Sequence, residues 1–417
     1  MKKFVDFLIF FGIILQRRVL FMIKREQYLA KLRLFKNKEV IKVITGIRRC
    51  GKSTLMQQFQ DELLAQGVLP QQIIAINFED LQYDNLLDYK KLYDYLLSRV
   101  DTGAQNYIFL DEIQKVQDFQ KVVDSLYVQK NIDIYITGSN SDLLSSELTS
   151  LLTGRYIEVK MLPLSFGEYV DNFNGADTRK LFNNYLQFGS MPYVVGLPNK
   201  EAIDIYLDGI FNTIVNVDIA SRYSQVDLSI LQSIAKYLFH NIGSLVSSTN
   251  IANTLTSNNR KTTYNTVEKY IGYLKECFLI YEASRYDVKG KQHLKSLSKY
   301  YVVDMGLRNL LLSNSATDIG HTLENVVYLE LLRRGYKVYV GKLNDREVDF
   351  VAINSEGIEY YQVSATVMDA DKLKTELTPL QQIKDNHPKT LLTLDEYPLG
   401  NYDGIKIENA IDWLLKK

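Results

Sequence analysis

VITGIRRCGKST, residues 43–54, is the stretch from which the rest of this chain can be placed. Gly46 and Gly51 bracket four residues and are followed by Lys52 and Ser53, the G-x-x-x-x-G-K-[ST] spacing of a loop that holds phosphate. Glycines let the backbone wrap closely round a phosphate chain, and successive N–H groups form an anion nest. The apolar run VIKVIT (residues 40–45) precedes the loop, and Leu55, Met56, Phe59, Leu63 and Leu64 recur after it at helical spacing. Strand, loop and helix therefore follow in the required order, and the helix beginning near Lys52 adds the positive end of its dipole. The pattern predicts a cradle made of Gly46, Ile47, Arg48, Arg49, Cys50, Gly51, Lys52, Ser53 and Thr54. In it Lys52 reaches the outer phosphates of a nucleotide, and the Ser53 hydroxyl is a magnesium ligand.

Working outward, 417 residues are too many for one ordinary core, and two or three domains are expected. A formal net charge of zero excludes a protein coated in positive charge for nucleic acid, though local basic patches are compatible with it. Two cysteines, Cys50 and Cys277, and four scattered histidines suggest neither a disulfide framework nor a zinc site, and fit a reducing cytoplasm. The 29 tyrosines have no functional reading. The apolar run at residues 4–15 contains Asp6, is too short to span a bilayer and lacks a cleavage site after it. Residues 1–21 are therefore expected to be an upstream extension of the reading frame, with Met22 as the start, and no membrane association is expected.

Past the first helix, four β-rich runs alternate with helical or loop segments: residues 73–78, 107–110, 132–137 and 156–162. Such alternation predicts a parallel sheet with helices on both faces, and ligands in these sheets bind beyond the strands' carboxyl ends. The run at 107–110 ends in Asp111-Glu112, so Asp111 is expected to hold magnesium and Glu112 to polarise an attacking water. The run at 132–137 leads into Gly138-Ser139-Asn140, which would lie between the loop and the acids. Ser139, or failing that Asn140, is expected to sense the terminal phosphate. Arg155, in LTGR, is a candidate for neutralising charge in phosphoryl transfer, in trans if copies of the chain assemble, with an acid partner on its own chain as the plainer reading.

These features together resemble the AAA+ class of P-loop ATPases. More narrowly, they resemble a prokaryotic ATPase family carrying TGxRRxGKST, hhhLDEIQ, hhhTGSS and LxGRxxxxxLxPLSFxEF in that order. Here those motifs stand at residues 45–54, 108–114, 134–141 and 152–169, and YLQFGSMPYVV at 185–195 continues the likeness. The resemblance implies a magnesium-dependent, cytoplasmic enzyme that hydrolyses ATP to ADP and phosphate. Its alternative is a nucleotide-gated DNA-binding regulator or defence component with little turnover.

The remaining boundaries follow from pattern. An AAA+-type core is expected over 22–165 and a helical lid and linker over 166–225. Over 226–303, three helices and a basic hairpin bearing Arg285, Lys289, Lys291, Lys295 and Lys299 read as a winged helix that would offer a face to duplex DNA, or equally to a protein partner. Residues 304–417 read again as α/β. By family resemblance they are similar to the PD-(D/E)xK nuclease fold, whose site would fall on Glu324, Asp349, Gln362 and Ser364. Gln362 stands where an acid is usual and Ser364 where a lysine is needed, so the fold is expected to persist without cleavage chemistry. The overall expectation is an α/β protein with a P-loop AAA+-type parallel sheet, a winged helix and a C-terminal restriction-nuclease-like domain.

Overall fold

A computed structural model describes residues 23–139, 143, 154–173, 175–223, 225–313, 318–396 and 400–416. The segment 1–22, Asn140 and residues 152–153 lie outside them, so the expectations for the N-terminal extension and for Asn140 are not addressed. The chain forms two compact units, one running to Met161 together with 195–198, the other comprising 162–194 and 199–417.

The first unit is built on five parallel strands: β1 (Ile41–Thr45), β2 (Ile73–Asn77), β3 (Asn106–Asp111), β4 (Ile132–Gly138) and β5 (Tyr156–Lys160). Their spatial order is β2-β3-β4-β1-β5. β1 and β3 are buried along their whole length, which is why they read as continuous apolar runs instead of alternating ones. Inserting β4 between β1 and β3 has a functional consequence, because its last residues lie between the phosphate loop and the acids. Helix Lys52–Ala65 packs on the sheet through Phe59, whose ring lies 5.2 Å from Tyr135 and 6.4 Å from Phe109. Lys42 and Asp133 form a fully buried ion pair on neighbouring strands, completed by the Asn37 amide and the Tyr135 hydroxyl.

In the second unit the strands form one sheet. β6 (Leu245–Val246), β7 (Ile280–Asp287), β8 (Gln292–Val302), β9 (Lys337–Leu343), β10 (Arg346–Ile353), β11 (Ile358–Ser364), β12 (Lys389–Thr393), β13 (Gly400–Tyr402) and β14 (Ile405–Asn409) are ordered β13-β14-β12-β11-β10-β9-β7-β8-β6. This sheet runs across the boundary expected at 303/304. β7 pairs in parallel with β9, Arg285 beside Val340, so the hairpin expected to be a free wing lies inside a sheet shared with residues 337–409. The three helices preceding the hairpin form close to the expected positions, at Leu228–His240, Ser248–Ser257 and Tyr264–Glu276. Val267, Tyr270, Ile271 and Leu274 are buried along one face of the third. Asp227 and Asp318 accept backbone N–H groups at the starts of their helices, one reason those helices begin where they do. Among the described residues, no helix is long and apolar enough to cross a membrane.

Candidate active site

The phosphate-loop sequence takes the form its residues require. β1 ends at Thr45, and Gly46 follows with φ +147°. A Cβ there would stand 2.2 Å from the Met161 carbonyl oxygen, so no side chain is accommodated. Arg49 (φ 69°) and Gly51 (φ 103°) are also left-handed, and the helix starts at Lys52. Lys52 is buried, and its ammonium donates to the carbonyls of Gly46 (3.0 Å) and Ile47 (3.3 Å). It also stands 3.9 Å from a carboxylate oxygen of Glu112.

Two residues that sequence reasoning missed brace this loop and its acids. Buried Arg25 donates from Nη1 to the Cys50 carbonyl at 2.9 Å, and its own amide N–H reaches the Gln58 side chain. Thr137, near the end of β4, donates its hydroxyl to the Asp111 carboxylate and accepts the Glu112 amide at 3.0 Å. One side chain thus fixes both acids. Burial raises the Asp111 carboxyl above its ordinary range, while hydrogen bonds from the Thr137 and Ser53 hydroxyls oppose the shift. Contact between the Ser53 hydroxyl and the Asp111 carboxylate brings together two hard oxygen donors able to share a magnesium ion with phosphate oxygens and water.

Glu112 has a left-handed backbone (φ 55°) and is buried. One of its carboxylate oxygens accepts from Gln114 Nε2 at 2.5 Å and from Ser139 Oγ at 3.2 Å. Ser139 therefore lies against the acid, between loop and acid strand as β4 dictates. The other amide atom of Gln114, Oε1, is buried without a partner among the described residues. Arg48 faces Glu79 at 3.4 Å.

Arg155 is not brought to this cluster. β5 runs parallel to β1, with Ile41 beside Tyr156 and Thr45 beside Lys160. Arg155 therefore sits at the strands' amino end, roughly 15 Å of strand away from the loop. It is paired with Asp124, and its guanidinium lies 5.4 Å from the centre of the Tyr127 ring.

In the second unit, Glu324, Asp349, Gln362 and Ser364 are drawn towards one face, but each is already committed. Asp349 accepts the Val363 amide at 2.8 Å, Gln362 donates to Glu376 at 3.0 Å, and Ser364 donates to the Thr366 carbonyl at 3.1 Å. Glu324 accepts the Tyr301 hydroxyl at 2.7 Å and the Lys299 ammonium at 2.9 Å. Lys299, expected on an exposed basic wing, is only 4% exposed and lies inside this acidic cluster. Lys289, from the same hairpin, bonds the Asn344 side chain. Among the described residues, no group of three or more His, Cys, Asp or Glu side chains is arranged to hold a metal ion.

Comparison with known proteins agrees with this geometry. A family model described as an AAA domain matches residues 38–170, and one described as a domain of unknown function matches residues 179–318. An uncharacterized protein of Haemophilus influenzae is 42% identical over 402 residues, covering 95% of this chain and 99% of the relative. The chain belongs to its family of AAA-domain proteins. An uncharacterized protein of Methanocaldococcus jannaschii is 32% identical over 380 residues, covering 85% of this chain and 81% of that one. Among solved structures, a Walker-type ATPase of Pyrococcus abyssi aligns over 70% of this chain and 96% of its own, at 17% identity and a TM-score of 0.49. AMPPCP-bound DnaA of Aquifex aeolicus aligns over 60% and 86%, at 16% identity and a TM-score of 0.29. By the family model over residues 38–170, the first unit is a P-loop AAA-type domain. The second-family match, 179–318, runs across the boundaries expected at 225/226 and 303/304, and the shared sheet runs across the latter.

Proposed function

We propose that this protein binds and hydrolyses ATP at residues 46–54, with Lys52 on the outer phosphates, Ser53 and Asp111 on magnesium and Glu112 orienting the attacking water. The observation that carries the reading is the convergence of Ser53, Asp111 and Glu112 on Lys52. The Ser53 hydroxyl lies beside the Asp111 carboxylate, where it opposes the rise that burial imposes on that group, and Glu112 stands 3.9 Å from the Lys52 ammonium. Lys52 donates to two loop carbonyls, and on nucleotide binding it would exchange them for phosphate oxygens of greater charge. When bound, magnesium would neutralise charge developing between the outer phosphates. Thr137 keeps Asp111 and Glu112 in register, and Ser139 stands where it can pass from Glu112 to the terminal phosphate.

Turnover is proposed to drive or time a rearrangement in the second unit. The helix order there, with β6, β8 and β7 adjacent, supports a winged-helix reading of residues 226–303 and hence duplex DNA, or a protein, as partner. The alternative of a nucleotide-gated regulator with little turnover draws support from one observation. Glu112 is tied down by Gln114 and Ser139, away from service as a base. Steady-state ATP hydrolysis by the full chain with magnesium, with and without duplex DNA, distinguishes the readings. Turnover supports the ATPase, and its stimulation by DNA would point to the winged helix as the sensor; ATP binding without turnover in either condition supports the gated regulator and contradicts the enzyme reading.

A further inference from the structure

The nuclease-like reading of residues 304–417 implies a divalent cation held by carboxylates, and the residues here do not fit one. Glu324 from helix Ile319–Arg333 and Glu347 and Asp349 from β10 converge on a single point. At that point stands the ammonium of Lys299, 2.9 Å from Glu324, 2.5 Å from Glu347 and 4.0 Å from Asp349. Lys299 and Tyr301, alternate residues of β8 and so on one face of it, both reach the same oxygen of Glu324. The surrounding polar groups are equally engaged: Asp349 with the Val363 amide, and Gln362 with Glu376 and, at 3.3 Å, with the Asp349 amide.

We infer that Lys299 is a built-in counter-cation, occupying the place of a divalent ion and turning a nuclease-like acidic pocket into a metal-independent clamp between β8, β10 and helix Ile319–Arg333. The physical grounds are charge and position. Three carboxylates round a buried point need a cation, and a divalent ion set beside a fixed ammonium would meet like-charge repulsion at close range. This inference rests on the nuclease-like likeness only for the expectation of a metal, and not at all on the ATPase reading.

The test is manganese binding by the full chain without nucleotide, followed by electron paramagnetic resonance, in an Asp111→Asn background that removes the phosphate-loop carboxylate. With Lys299 in place, no manganese is expected to bind at millimolar concentration, and thermal unfolding is expected to be indifferent to the ion. Lys299→Met is expected to unfold at lower temperature, to gain one manganese site at least roughly tenfold tighter than any in the parent, and to recover part of its loss when the ion is added. Adding Asp349→Asn to Lys299→Met is expected to abolish the gained site. One manganese bound by the Lys299-containing chain and lost in Glu324→Gln would overturn the inference, as would a folded Lys299→Met chain that binds none. Should Lys299→Met not fold, the measurement on the Lys299-containing chain and the metal-free folding of Lys299→Arg decide the matter alone.

Discussion

Two places in this molecule set a lysine against acids, with opposite results. Beside the first sheet, Lys52 bonds two carbonyls of its own loop and stays 3.9 Å from Glu112. In the second unit, Lys299 stands within hydrogen-bonding distance of Glu324 and Glu347. On the proposed function, the first arrangement would take its anion and its cation from outside. The second already holds a cation of its own among the acids. Acids and lysine alone therefore do not make a reaction centre: what matters is whether the lysine already satisfies the carboxylates.

The largest expected contrast comes from removing each lysine in turn. Lys52→Ala should lower ATP turnover roughly 10²–10³-fold, the scale of losing a main transition-state donor, with only a small change in unfolding midpoint. Lys299→Met should do the reverse. It should cost about 3–5 kcal/mol of stability in urea unfolding, because it strands buried carboxylates, while changing turnover at permissive temperature by about twofold or less. Equal effects of the two substitutions on turnover would break the comparison.

A smaller effect is expected at Thr137, which touches both acids. Thr137→Val should lower turnover about 10–100-fold while leaving nucleotide binding within a few-fold, separable by comparing kcat with the affinity of a fluorescent nucleotide. Gln114→Ala should act in the opposite direction and raise basal turnover several-fold by freeing Glu112 from a charge-assisted bond. Unchanged or reduced turnover would show that Gln114 positions the acid instead of restraining it.

The smallest expected effect concerns Cys50, which is buried, as is Cys277. Burial raises the Cys50 thiol above its ordinary pKa, so less thiolate is present at a given pH than for an exposed cysteine. Colorimetric titration at pH 8 should find the native chain slow to react and the denatured chain reacting at both thiols, with the native rate rising with pH. Fast native reaction would mean that the loop opens. A bulky reagent that does enter should abolish ATP binding.

The phosphate loop, the parallel sheet and Asp111-Glu112 were legible because their evidence is local. Glycine spacing, an apolar run and the residues ending it survive in one dimension. Ser139 could be located because β4 has to end near the acid strand. Thr137 was missed because a threonine inside IDIYIT reads as ordinary strand composition. Arg155 could not be placed from sequence because only register reveals that it precedes β5 at the amino end of the sheet, beside Asp124, the acid partner of the plainer reading. Lys299 read as one more cation in a basic hairpin. Its partners come from a helix and another strand far along the chain, and no local pattern pairs them. The parallel pairing of β7 with β9 is equally non-local, so the boundary drawn at 303 followed a change of pattern that the sheet ignores.

The most direct test of the central claim is to measure ATP binding and hydrolysis side by side for the full chain, Lys52→Ala and Glu112→Gln. The parent should bind and hydrolyse ATP in the presence of magnesium, Glu112→Gln should bind ATP and fail to hydrolyse it, and Lys52→Ala should lose both. Hydrolysis undiminished in Glu112→Gln, or ATP affinity undiminished in Lys52→Ala, would contradict the account.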